Sequence, residues 1–269
     1  VLFDKPIPFA EALQYRAAQA ILPADAGSAE IARLGVEIRE RALFSARTTN
    51  AGYLARMDRL LTAMASPAAQ YAAGGMAVDP ATFRLRMRAE LDKLGYVPDR
   101  PGSLQDLGSD ARLDLIVDMQ LKQAHGYGRH VAAQDPDLLD LWPAQELVRV
   151  ESRRDEREWR RRWVEAGGAL YAGRMVARKD DPVWVAISRF GTPYPPFDYN
   201  SGMGLRDIRR DEAEQLGVVK PSTVVQPDTR RFDEDVEVDM PSGISSGLAG
   251  ALAQAFRVVG DKIVLGAAR

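Results

Sequence analysis

One stretch, from Ser109 to Ala133, constrains this chain more than any other. Leu113, Ile116, Val117, Gln120, Leu121, Ala124, Tyr127 and Val131 recur at intervals of three and four, which places them on one face of a long amphipathic helix. Its start is either Ser103 or Ser109, and Asp135-Pro136 ends it, because proline lacks the N–H that the next turn needs. Leu138 to Trp142 reads as a short turn of helix or an irregular link.

Upstream of it the grammar is also helical. Phe9 to Ile21 is alanine-rich and stops at Leu22-Pro23, where the residue before proline leaves the helical region. Ser28 is placed to cap a helix reaching about Ala42, with Ile31, Leu34 and Ile38 on one side. Phe44 to Asn50 breaks the pattern, which resumes at Tyr53 through Leu54, Met57, Leu60, Leu61 and Met64. Residues 66–80 hold Pro67, Gly74, Gly75 and Pro80 and read as a loop or hinge. Phe83, Met87, Leu91 and Leu94 form the next apolar stripe, with Gly95 as its stop.

After Pro143 the period changes. Glu146 to Glu151 alternates and is rich in valine, as an exposed or edge strand would be. Residues 155–166 return to helix, and beyond Gly167 glycine and proline punctuate short valine-containing runs at Arg174–Arg178 and Val183–Ile187. Asp207 to Leu216 reads as a short helix ended by Gly217, Ile244 to Phe256 as another, and Lys262 to Leu265 as a closing strand. The expected fold class is α+β, a mostly helical body with a small mixed or extended C-terminal region. It divides into an N-terminal helical region (1–66), a central region (81–218) and a C-terminal arm (219–269).

Composition narrows function by exclusion. With 36 Lys and Arg against 38 Asp and Glu in 269 residues, the chain is not built to coat nucleic acid or an anionic membrane over its whole surface. Zero cysteine excludes disulfides, thiolate metal sites and a cysteine nucleophile. No window approaches the length of apolar sequence that crosses a bilayer. Val1 to Leu22, with Asp4, Lys5, Glu11, Arg16 and two early prolines, reads as neither a signal peptide nor an anchor.

Catalytic patterns are scarce. His125 and His130 stand five apart on the long helix, roughly 140° from each other at about 100° per residue, so they do not converge on a metal. Gly74-Gly75 and Gly167-Gly168 lack a phosphate-loop context, and SGISS at 242–246 is no nucleophile elbow. Asp180, Asp181, Asp198 and Asp207 lie in loops where acids usually cap or turn, and they are the best carboxylates for a hydrolase. The expectation is no catalytic, cofactor or metal residue.

Two segments stand out as contact candidates. Arg153 to Arg162 carries six arginines among Asp155, Glu156 and Glu158, with Trp159 and Trp163 four apart on one face. Arg157, Trp159, Arg160, Arg161 and Trp163 would suit a partner protein or phosphates, or the indoles simply pack on the domain. Arg189 to Gly204 combines Pro193, Pro195 and Pro196 with Phe190, Tyr194, Phe197 and Tyr199. Such a segment buries itself only by lying along the helical body or a partner subunit.

In order, residues 103–130, 143–163, 173–184 and 190–218 (FGTPYPPFDYNSGMGLRDIRRDEAEQLGV) resemble phage and prophage minor head, or head morphogenesis, proteins of the Mu F-like family. FSARTTNAGYLARM at 44–57 is similar to that group as well. The resemblance implies a long helix leading to a strand, a polar segment and a Pro-rich closing motif. The family's His-Pro-Asn-Cys-Arg-Cys ending is absent, PPFDYNSGMG stands as a divergent equivalent, and no metal is carried over. It implies a structural protein, not an enzyme, with several copies in the virion at the portal vertex or capsid interior. Its partners would be the portal protein, the major capsid protein or both, with packaged DNA as a further candidate, assembly in the host cytoplasm and no membrane. The alternatives are a nucleic-acid-contacting virion protein using Arg153 to Arg162, and a hydrolase or effector domain using the loop carboxylates.

Overall fold

The computed structural model describes residues 10–66, 78–154 and 156–266, so most of the expected hinge at 66–80, and Asp155, lie outside the described residues. The elements begin with α1 (Ala10–Ala17), β1 (Ala20–Ile21), α2 (Ser28–Ile31), α3 (Val36–Glu40), β2 (Ala42–Leu43), α4 (Ala51–Ala65) and α5 (Pro80–Lys93). They continue with α6 (Asp110–Ala132), α7 (Pro136–Leu141), β3 (Ala144–Arg149), α8 (Trp159–Glu165), β4 (Leu170–Tyr171), β5 (Arg174–Arg178) and α9 (Val183–Ile187). The last are β6 (Met203–Ile208), α10 (Arg210–Gln215), β7 (Val236–Asp239), α11 (Ser246–Ala255), β8 (Arg257–Val259) and β9 (Lys262–Leu265). The class is α+β, with the strands in three small sheets among the described residues.

Local chemistry explains the helix limits. Asn50 caps α4 by accepting the Tyr53 N–H at 2.8 Å, and Asp79 caps α5 by accepting that of Thr82 at 2.6 Å. Ser109 Oγ accepts from the Arg112 N–H, which fixes the start of α6 at the later of the two expected serines. Ser28 is not a cap but the first residue of α2, behind Gly27, and the single helix expected up to Ala42 is two short ones separated at Gly35. The run Val183–Ile187, left without an assignment by its sequence, is helical: Asp181 Oδ1 takes the Val183 N–H and Trp184 faces the core.

The chain forms two compact units, one of residues 1–124 with 231–269 and one of residues 125–230. The regions expected at 1–66, 81–218 and 219–269 divide the chain at other points. In the first unit, Leu22, Ile31, Leu34 and Ile38 share a core with Leu248, Leu252, Phe256, Ile263 and Leu265. The C-terminal residues are therefore not an extended arm. The antiparallel sheet β7-β9-β8 and α11 close the N-terminal helices, since the apolar faces on both sides need each other for burial. A second core joins Leu54, Met57, Leu61, Phe83, Met87 and Leu91 to Leu113 and Val117 of α6.

Arg41 ties this unit together from inside. Only 2% exposed, it donates to the carbonyls of Arg231 (2.9 Å), Glu234 (3.1 Å) and Gly266 (2.7 Å), and its guanidinium lies 4.7 Å from the Phe232 ring centre. Arg16, equally buried, pairs with Asp58 at 2.5 Å and donates to Gln120.

The second unit is an antiparallel sheet of order β4-β5-β3-β6 with α7 to α10 around it. The strand read as exposed or edge is central. β3 pairs with β5 on one side and along Ala144↔Ile208 to Arg149↔Met203 with β6 on the other, and its first four residues are buried. Glu146, beneath that sheet's surface, accepts from Arg174 and Arg206. Burial works to raise its pKa, but those two guanidinium groups outweigh it and hold the carboxyl below its ordinary range.

Candidate functional site: an arginine and aromatic face

The second unit is organised by the Pro-aromatic segment. Tyr194 (3% exposed), Phe197 and Phe190 turn inward, so the segment lies along its own unit in preference to waiting for a partner. The Pro195-Pro196 peptide bond is cis. Where the segment crosses the end of α6, Gly126 makes room: a Cβ there would overlap the Pro195 carbonyl oxygen and stand 3.2 Å from Tyr194 Cδ2. Tyr127 packs edge to face on Tyr194 at 5.9 Å.

Trp159 and Trp163 are 3% and 0% exposed and face inward, so of the two readings open in the sequence it is the packing of the indoles on the domain that the structure shows. Helix α8 begins at Trp159 and not at 155, so the first arginines of the run precede it in irregular backbone. Trp163 stacks edge to face on Trp184 at 5.0 Å and donates through Nε1 to the Ala169 carbonyl at 2.7 Å, with Gly168 pressed against its ring. Replacing Trp163 by Ala is expected to destabilise the chain by about 3–5 kcal/mol, measured by denaturant unfolding followed by far-ultraviolet circular dichroism.

Burying the indoles leaves the arginines outside, around one carboxylate. Asp198 is 5% exposed, and Arg162 reaches its Oδ2 at 2.9 Å, Arg157 the same oxygen at 3.7 Å, and Arg189 its Oδ1 at 3.8 Å. Asp198 Oδ1 also accepts the Tyr199 N–H at 2.8 Å. Arg157 donates to the Tyr199 carbonyl at 2.8 Å, and the Arg189 guanidinium sits 5.4 Å from the Tyr199 ring centre. The exposed result is Arg157, Arg189 and Tyr199, held in place by a buried acid and a turn with positive φ at Asn200 and Gly202. Arg160 donates to the Gly173 carbonyl and Arg161 pairs with Glu165, and both are exposed.

The loop carboxylates do not converge. Asp180 pairs with Arg178 and accepts the Gln226 N–H, Asp181 accepts the Val183 N–H at the start of α9, Asp207 pairs with Lys179, and Asp198 is surrounded by arginine. Among the described residues, no group of three or more His, Cys, Asp or Glu is placed to hold a metal ion. No helix among them is long and apolar enough to cross a membrane.

The histidines part company, as their spacing predicted: His125 is exposed, whereas His130 Nε2 donates to Asp228 Oδ2 at 2.9 Å and its ring lies 5.4 Å from that of Tyr194. Asp228 also takes the backbone N–H and side chain of Arg230, and donates its own N–H to Gln134. Burial pushes its carboxyl up, but these hydrogen bonds prevail and hold it far below the usual carboxylate range. A depressed folded pKa contributes stability above the unfolded value of about 4 that is lost as pH falls through the folded one. The stability gap between wild type and Asp228→Asn is therefore expected to be full at pH 6–7 and to shrink steadily as pH falls below about 4, read by urea unfolding at each pH.

Asp198, Arg162 and Arg189 carry this site, yet sequence reasoning weighed Asp198 only for hydrolysis and left Arg189 as the segment's first residue. The available signal was an arginine directly before a Pro-aromatic run and an isolated Asp inside it. Comparison with protein-family models, curated proteins and solved structures finds no match to this chain.

Proposed function

We propose that this chain is a structural minor head protein of a phage or prophage, acting without catalysis in capsid assembly and docking at the portal or inner capsid. One observation supports the reading. The end of the long helix, the central strand, the Arg/Trp helix and the Pro-rich segment, which carry the ordered resemblance to Mu F-like head proteins, pack as a single unit of residues 125–230. That unit presents a rigid arginine and tyrosine face, the composition that enriches protein contacts. In this role the chain works in several copies, in the virion and in the host cytoplasm during assembly.

Co-expression with the portal protein and the major capsid protein of the same genome tests it. The expected result is co-elution of this chain with the portal oligomer or the capsid protein in size-exclusion chromatography. Elution apart from both would overturn the proposal.

A further inference from the structure

Eight arginines (seven in residues 149–165, plus Arg189) face six acids (five in that span, plus Asp198), so the local excess is two positive charges. A duplex-binding face neutralises many phosphates, commonly about six to ten, and this one is too nearly balanced for that. It suits a short run of carboxylates. Arg157 and Arg189 are planar donors already oriented by Asp198 and Tyr199, so little side-chain entropy is lost when a carboxylate arrives. Tyr199, 38% exposed, supplies the apolar area beside them.

A run of matching chemistry exists in the same molecule. Asp233, Glu234, Asp235, Glu237 and Asp239 are all exposed, on and just before the edge strand β7. Arg257 pairs with Asp235 at 3.8 Å and Lys262 with Glu237 at 3.8 Å, two cations against five acids. The backbone of this run is fixed because Arg41 grips the Arg231 and Glu234 carbonyls. Glu237 and Asp239 are exposed on this edge strand, where charged side chains guard against unselective pairing.

We infer that the Arg157–Arg189–Tyr199 face receives the acidic β7 segment of a second copy of this chain, in a head-to-tail contact. The contact is heterologous: it joins two different surfaces of the chain, not one surface to its own copy. It requires neither a portal nor a capsid protein, so it stands or falls separately from the proposed function.

Sedimentation velocity of the full chain tests it at roughly 50 mM and 500 mM salt, conditions between which screening of exposed charges rises steeply. Expected are concentration-dependent oligomers at low salt that dissolve at high salt. Arg157→Glu with Arg189→Glu, and separately Glu237→Lys with Asp239→Lys, should each be monomeric, while mixing the two variants restores association. The neutral pair Arg157→Gln with Arg189→Gln, checked for folding by circular dichroism, should weaken association at least tenfold. A wild-type chain that stays monomeric at low salt, association unchanged in the variants, or no recovery on mixing overturns the inference. Tight duplex DNA binding that Arg157→Gln with Arg189→Gln abolishes, in a wild-type chain that remains monomeric, would assign the face to nucleic acid and overturn it as well.

Discussion

Gly126→Ala is expected to unfold or severely weaken the unit of residues 125–230, lowering stability by about 3 kcal/mol or more. The added methyl group has no space. It would overlap the Pro195 carbonyl oxygen and stand 3.0 Å from the carbonyl carbon, both backbone atoms of a segment pinned by Tyr194 and Phe197. Either the helix or the Pro-aromatic segment must move, and moving the segment disturbs Asp198 and the arginines around it. A fall in melting temperature of roughly 10 °C, by calorimetry, is the readout. Gly250→Ala serves as the contrast, because that glycine is mid-helix in α11 with nothing within 4 Å of its added Cβ. Helix propensity alone acts there, and a gain of up to about 1 kcal/mol is expected.

Arg41→Met carries the second large effect. Methionine has the length to fill the space but no donor, so the carbonyls of Arg231, Glu234 and Gly266 lose their buried partner. A hydrogen bond to a charged group contributes about 1.5–3 kcal/mol, so losing several together should amount to about 3–5 kcal/mol after relaxation. Hydrogen exchange should rise first in β7 and β9, whose flanking backbone Arg41 holds. Unchanged protection there would show that the C-terminal sheet does not depend on this arginine.

These two residues mark the limit of what sequence could tell. The long helix was legible because its apolar period runs over many turns, and α4, α5 and α11 for the same reason. Arg41 was not, since a buried arginine looks like any surface arginine until its carbonyl partners arrive from 190 or more positions away. The same distance hid the return of the C-terminal segment to the N-terminal core, so those residues read as an arm. Short elements failed for a different reason. Val183–Ile187 has too few residues to express a period, and the turn in which Asp181 accepts the Val183 N–H and the burial of Trp184 decide its state. β3 was misread as an edge because alternation was sought at 146–151, while its buried part begins at Ala144.

At the site, the composition of the two unusual segments was legible and the orientation of their side chains was not. Six arginines and two tryptophans between residues 153 and 163 could face either way. Gly168, the Ala169 carbonyl and Trp184 draw Trp163 inward and thereby put the arginines outside. Gly126, flanked by Tyr127 inside a helical pattern, was the one local hint of a close backbone approach.

The proposal that this chain is a head component is tested most directly by quantitative mass spectrometry of purified particles from the source phage or induced prophage. The proposal predicts this chain in the particles at a reproducible ratio to the portal protein. Particles that are complete and infectious yet lack the chain would contradict it.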